Sequence, residues 1–397
     1  MNISRTAILA HRVLTGPDLK EQLNRCVLVD NGKILDILPA EEYRKLKDTW
    51  PAVDLGRGTL MPGLFDCHSH LALDAGRKGH LAMMSLPEEE HMKLAEENLK
   101  KDLYSGVTTM RCMGDRYYLD IRTRELIRRG SMEGPDILVC GIGMRSAAGH
   151  GYVGLPHTGA EEFAVTSREN IRRGADHLKV FISPGIPAAS PEEEIPCFLT
   201  REEIRAVIRE AREAGIHTTA HCIGGNGLDI CVQEGIDVID HLYSVTLRQV
   251  QLLETSFSGW VDLTSGIVLD EKRENYTPVG QNERMRAARP YSRQCLRRIY
   301  RSGKIRYTLG TDAYHGMLYR EVEFAVSLGA DRRQALLAVT SDAARMTGLE
   351  RVCGQIAPGY QADLAGFGQN PLTQENALAD VKFVMKQGRI ISFSKKS

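Results

Sequence analysis

The middle of this chain repeats one pattern. Short apolar runs alternate with segments whose apolar residues recur at helical spacing. The eight runs are Leu60–Cys67, Thr108–Cys112, Asp136–Gly141, His177–Ile182, His217–Cys222, Val238–His241, Trp260–Thr264 and Arg306–Thr311. Between them, Glu88–Tyr104, Ile121–Arg129, Arg201–Ala214, Gly227–Glu234 and Pro290–Ser302 read as helices. Strands that alternate with helices pair in parallel, and eight such units predict an α/β fold, a (β/α)8 TIM barrel. An open doubly wound sheet is the alternative, but no G-x-G-x-x-G follows an early strand. The polar stretch Gln281–Arg289 is expected to be a mobile loop.

Both ends of the chain read differently. Near the start, Arg25–Asp30 and Lys33–Leu38 flank Asn31-Gly32, a strong hairpin signal. Near the end, Ala362–Phe367 is strand-like, and Val381–Met385 precedes a Gln387-Gly388 turn and Arg389–Phe393. The expected organisation is a small β-sandwich domain built from residues 1–60 plus 355–397, with residues 61–354 forming the barrel.

Composition narrows the function. Lys+Arg and Asp+Glu are 51 each, so net charge is zero, which argues against nucleic acid as a partner. No apolar run reaches the ~18 residues of a membrane span, and the first residues carry no signal-peptide pattern. Nine scattered cysteines without a C-x-x-C read as free thiols in the cytoplasm. The expected partner is a small-molecule substrate; a homo-oligomer is compatible with all of this.

In such a barrel, chemistry sits at the C-terminal ends of the strands. The first run ends in His68-Ser69-His70, whose alternation puts both imidazoles on one side. The fifth ends in His221, the sixth in His241 and the eighth in Asp312. Singly, each histidine has an ordinary structural reading. At successive strand ends they form a zinc-favouring ligand set. Lys179, inside the fourth run, either snorkels outward or points into the pocket. In the second case it could add carbon dioxide, and the carbamate would bridge two ions ~3.5–4 Å apart.

These residues resemble the amidohydrolase superfamily over nearly the whole chain. Met61–His70 resembles its PG-x-x-D-x-H-x-H, and Gly106–Arg111 its G-[FV]-TT-x-R. Ala220-His221, Asp240-His241 and Leu309–Asp312 match later blocks, and Gly354–Asp363 with Val381–Ile391 match its C-terminal β segments. The resemblance implies two divalent ions, with His68, His70 and Asp312 on one, His221 and His241 on the other, and carboxylated Lys179 bridging. Lys179 together with Ala148-Gly-His150-Gly resembles a prolidase-like group acting on Xaa-Pro, Xaa-Arg or Xaa-Lys dipeptides. That likeness gives His150 contact with the substrate carbonyl and makes Asp312 the proton carrier for a metal-activated water.

For a substrate carboxylate, Tyr243 and Arg145 are the candidate binders, with Arg320 a competitor. Cys67 and Cys222 adjoin ligands but alternate away from them, so packing is expected. The implied activity is hydrolysis of a C–N amide bond in an Xaa-Pro-like dipeptide or N-acyl amino acid. Alternatives are a cyclic-amide hydrolase acting on an imidazolone, hydantoin or lactam, a deaminase, or a non-enzymatic scaffold.

Overall fold

A computed structural model describes residues 5–394. Its centre is a closed barrel of eight strands. They are β1 (Leu64–Ser69), β2 (Val107–Cys112), β3 (Asp136–Leu138), β4 (His177–Phe181), β5 (His217–Gly224), β6 (Val238–Ser244), β7 (Trp260–Leu263) and β8 (Tyr307–Leu309). β1, β2 and β3 pair in parallel. So do β4 through β8, in order. Beyond β3, Asp176 N–H donates to Val139 O at 2.7 Å, and Met144–Ser146 pairs with the end of β4. The ring closes just past β8, where Asp312 N–H donates to His68 O at 2.7 Å.

The sequence explains the helices between the strands. Arg201–Ala214 starts at a capping box, with Thr200 and Glu203 each accepting from the other's backbone, and stops at Gly215 in the left-handed region. Ile204, Val207, Ile208 and Ala211 form its buried stripe. Ile204, Val207 and Ile208 each stabilise the packed state by about 1.5–3 kcal/mol.

Two expectations need correction. The run Leu60–Cys67 is two strands. Thr59–Pro62 pairs with Leu364–Phe367 in the terminal sheet, and only Leu64 onward belongs to the barrel. Gly63 is the break: a Cβ there would lie 2.2 Å from Thr108 Oγ1, and its N–H donates to Asp363 O. Gln281–Arg289 is not a loop but part of a helix, Val279–Arg301, that passes through Pro290. Met285 and Ala288 turn inward, while Arg286 and Arg289 pair with Glu274 at 2.6 and 2.9 Å. Its polarity marks a solvated helix face laced with ion pairs.

The two ends of the chain form one eight-stranded sheet. Its order is Arg389–Phe393, Val381–Lys386, Leu364–Phe367, Thr59–Pro62, Thr6–Thr15, Lys20–Asp30 and Lys33–Pro39, with Ala52–Asp54 also on Thr6–Thr15. The sheet curls over its own core, which joins Ile8, Val27 and Ile34 to Leu364, Phe383 and Met385. Its two outer hairpins meet. Asn31-Gly32 and Gln387-Gly388 both have two positive φ angles, and a Cβ on Gly388 would lie 2.7 Å from Gly32 Cα. Among the described residues, no helix is long and apolar enough to cross a membrane.

Candidate active site

The C-terminal ends of the barrel strands bring the predicted ligands together. His68 and His70 turn their Nε2 atoms to Asp312 Oδ1, at 3.5 and 3.6 Å. The His241 ring lies tilted beside His68 with centroids 4.7 Å apart, and His221 meets His241 edge-on at 4.5 Å. Ligand atoms of His68, His241 and Asp312 all lie within 4.8 Å of one another, close enough to share one ion.

Hydrogen bonds fix which ring nitrogen three of the four histidines offer. His70 Nδ1 donates to Gly114 O at 2.7 Å, and His221 Nε2 to Pro184 O at 2.9 Å. His241 Nδ1 meets Thr264 Oγ1 at 2.8 Å. His68 Nδ1 has no hydrogen bond and faces two buried carboxylates, Asp240 at 3.7 Å and Asp262 at 3.8 Å. His70, His221 and His241 are thus held from behind with the other nitrogen free, the arrangement metal-binding histidines need. Burial keeps them neutral: it pushes His70 down to about 4 and His68, His221 and His241 well below the ordinary imidazole value. The donor set fits divalent ions.

Lys179 is wholly buried among these groups, its Nζ on the Asp240 carboxylate and 5.1 Å from the Phe181 ring centroid. Asp262 is pushed up to about 8 by burial and by Asp240. Burial likewise raises the Asp312 carboxyl to about 6, against the pull of Lys179 and Arg273.

A cavity of about 890 Å³ opens above the cluster. His150 lines it, its ring 4.6 Å from that of His221, and burial lowers its pKa to about 4. Tyr243 lines it as well, but its hydroxyl donates to Thr264 O at 2.8 Å. Arg145 and Arg320, expected to meet a substrate carboxylate, are outside the lining. Arg145 Nη1 donates to the carbonyls of Ser146, Ala147 and Gly149 at 3.0–3.3 Å, so it pins the loop that carries His150. Arg320 is ion-paired to Asp270 at 2.5 Å. Cys67 and Cys222 are packed in apolar clusters, as expected.

Sequence reasoning missed Arg273, which lines the cavity from the turn after β7. It also missed the carboxylates Asp240 and Asp262 behind His68. Asp262 did carry a signal, a charged residue inside an apolar run.

Comparison with known proteins agrees with the geometry. Residues 59–392 match the amidohydrolase family. The ochratoxinase of Aspergillus niger is 24% identical over 401 residues, covering 92% of this chain and 82% of that protein. Its crystal structure superposes with a TM-score of 0.82 at 20% identity, covering 98% of this chain and 96% of that one. A Xaa-Pro dipeptidase with methionine bound in its active site superposes with a TM-score of 0.84 at 24% identity, covering 98% and 100%. With its barrel, its strand-end histidines and a family match over most of its length, this chain belongs to the amidohydrolase family and is a hydrolase of carbon–nitrogen bonds.

Proposed function

We propose that the chain hydrolyses the amide bond of a small substrate bearing a carboxylate near the scissile bond, an Xaa-Pro-like dipeptide or an N-acyl amino acid. The observation that carries this is the charge of the cavity wall. Among the described residues, Arg116, Arg273 and Arg284 line it, while Asp312, at the histidine cluster, is its single carboxylate. A concave wall of one sign favours a ligand of the other. Likeness to a Xaa-Pro dipeptidase over the full length supports the same class.

In this reading His68, His70, Lys179, His221, His241 and Asp312 hold two divalent ions, with zinc the expected metal and Lys179 carboxylated. Bound ions of this kind would lower the pKa of a water and polarise a carbonyl. The chain's own groups do the rest. Asp312 takes the proton of the attacking water at a carboxylate oxygen and returns it to the leaving nitrogen. Neutral His150 donates a hydrogen bond to the substrate carbonyl oxygen. Nine unpaired cysteines, eight of them buried, suit a cytoplasmic enzyme.

The test is a panel of metal-replete assays. Dipeptides and N-acyl amino acids are compared with their amidated forms and with hydantoins, imidazolones and lactams. The free acids should be preferred. Equal turnover of amidated or neutral ring substrates would replace this reading with a cyclic-amide hydrolase.

A further inference from the structure

The three arginines of the cavity wall differ. Arg284 is exposed and Arg116 half-buried, whereas Arg273 is 8% exposed. A guanidinium stays charged when buried, so Arg273 brings a fixed positive charge to the wall. Asp312 and Asp270 act on it only from beyond ion-pair distance, and its direct partners are neutral. Nη1 donates to Ile267 O, a neutral acceptor. Nε is buried with no hydrogen-bond partner. The guanidinium carbon lies 6.0 Å from the Tyr314 ring centroid. Asp270, three residues earlier, is committed to Arg320. Among the described residues, no carboxylate comes within 4.0 Å of the Arg273 nitrogens.

Proteins rarely bury a charge without a counter-charge, because its lost hydration is then uncompensated. A guanidinium kept without a direct carboxylate partner on the wall of a substrate cavity is prepared for a ligand's charge. The other candidates are placed differently: Arg145 and Arg320 lie outside the cavity lining, Arg145 donating to three loop carbonyls and Arg320 paired with Asp270, while the Tyr243 hydroxyl donates to Thr264 O.

We propose that Arg273 is the receptor for the substrate's carboxylate and the residue by which the enzyme selects acids over amides. This rests on the carboxylate-bearing reading of the substrate and names the group that carries it out. Planar guanidinium and carboxylate pair through two parallel hydrogen bonds, which also orients the ligand. The apolar part of the wall, including Leu81, Met84, Ile186, Phe198 and Met285, is left for the acyl portion.

Binding can be measured apart from turnover. The probes are N-acetyl amino acids with apolar, aromatic, basic and imino side chains, each paired with its amide, titrated calorimetrically into metal-loaded enzyme. Wild type should bind at least one acid roughly 30-fold more tightly than its amide. Arg273→Met should reduce that ratio to about 3 or less, with Arg273→Lys intermediate because it keeps the charge and loses the fork. Melting temperatures of the same proteins isolate the structural alternative, in which Arg273 only pins the Ile267 turn. A lowered melting temperature with the ratio intact supports that role and overturns the proposal. If wild type prefers no acid in the panel, the carboxylate reading of the function fails and the proposal falls with it. If wild type prefers acids and Arg273→Met does too, only the proposal falls.

Discussion

Asp312 has φ 50° and is followed by Ala313 at 66°; His241 has φ 77° and is followed by Leu242 at 55°. Two proposed ligand positions therefore sit in the left-handed region, where a non-glycine residue costs about 1–3 kcal/mol and is held by its surroundings. Asp and Asn tolerate that region well, so Asp312→Asn should keep the backbone while removing the proposed proton carrier. We expect an almost unchanged melting temperature and a kcat reduced by about 10²–10⁴. A near-normal kcat would assign the proton to another group. For Lys179, elemental analysis should find close to two divalent ions per wild-type chain and fewer in Lys179→Ala. That variant should be inactive and partly rescued by short carboxylic acids. A bare lysine seen in a fully metal-loaded crystal would refute the carbamate. The clustering of these candidate ligands was legible in the sequence because strand ends converge in a barrel. It hid Arg273, which lies in the polar turn Glu271–Asn275 and is buried only by what packs over it. It overrated Arg145 and Arg320 for the converse reason, since spacing does not show which carbonyls or carboxylates already satisfy a guanidinium.

Loops after two adjacent strands decide where His150 stands. Gly185, in the loop after β4, has no Cβ, and one placed there would lie 2.3–2.7 Å from three atoms of the His150 ring. Its φ is not among the positive ones, so alanine meets a side chain there, not a forbidden backbone. Gly185→Ala should therefore push His150 out of place, reducing kcat/KM about as much as His150→Ala does, with a melting temperature within a few degrees of wild type. Retained activity in Gly185→Ala, alongside loss in His150→Ala, would mean that the loop simply yields. Seven of the eight strand runs were legible in place because apolar runs bounded by turns survive packing. The first was not, because nothing in its composition marks the point at which Gly63 hands the chain from one sheet to the other. Val279–Arg301 was read as a shorter helix after a loop because ion pairs to Glu274, on a different element, support its polar first half.

For the molecule as a whole, closure of the barrel rests partly on a buried ion pair. His315, beyond β8, meets Asp102 Oδ2 at 2.7 Å on the helix Glu88–Tyr104 that follows β1. Burial alone would lower the His315 pKa, but Asp102, Asp74 and the Leu73 carbonyl raise it to about 9 from an unfolded value of 6.5. A raised histidine stabilises fully below its unfolded pKa, and that stabilisation fades as pH climbs through the folded one. The pair should thus contribute on the order of 3 kcal/mol below about pH 6.5 and little above about pH 9. Thermal melts of wild type and His315→Gln between pH 6 and 10 should converge towards alkaline pH; a constant difference would contradict this. The overall architecture was legible because the strand–helix alternation is long. The curl of the terminal sheet was not, since its outer hairpins touch through glycines whose contact leaves no local mark. That sheet also sets an order of events on the ribosome. Thr59–Pro62 emerges early, yet its partner Leu364–Phe367 follows roughly 300 residues later, a separation that slows pairing. A nascent chain must therefore carry an unpaired strand edge while the whole barrel is made, and chaperone dependence should concentrate in that interval.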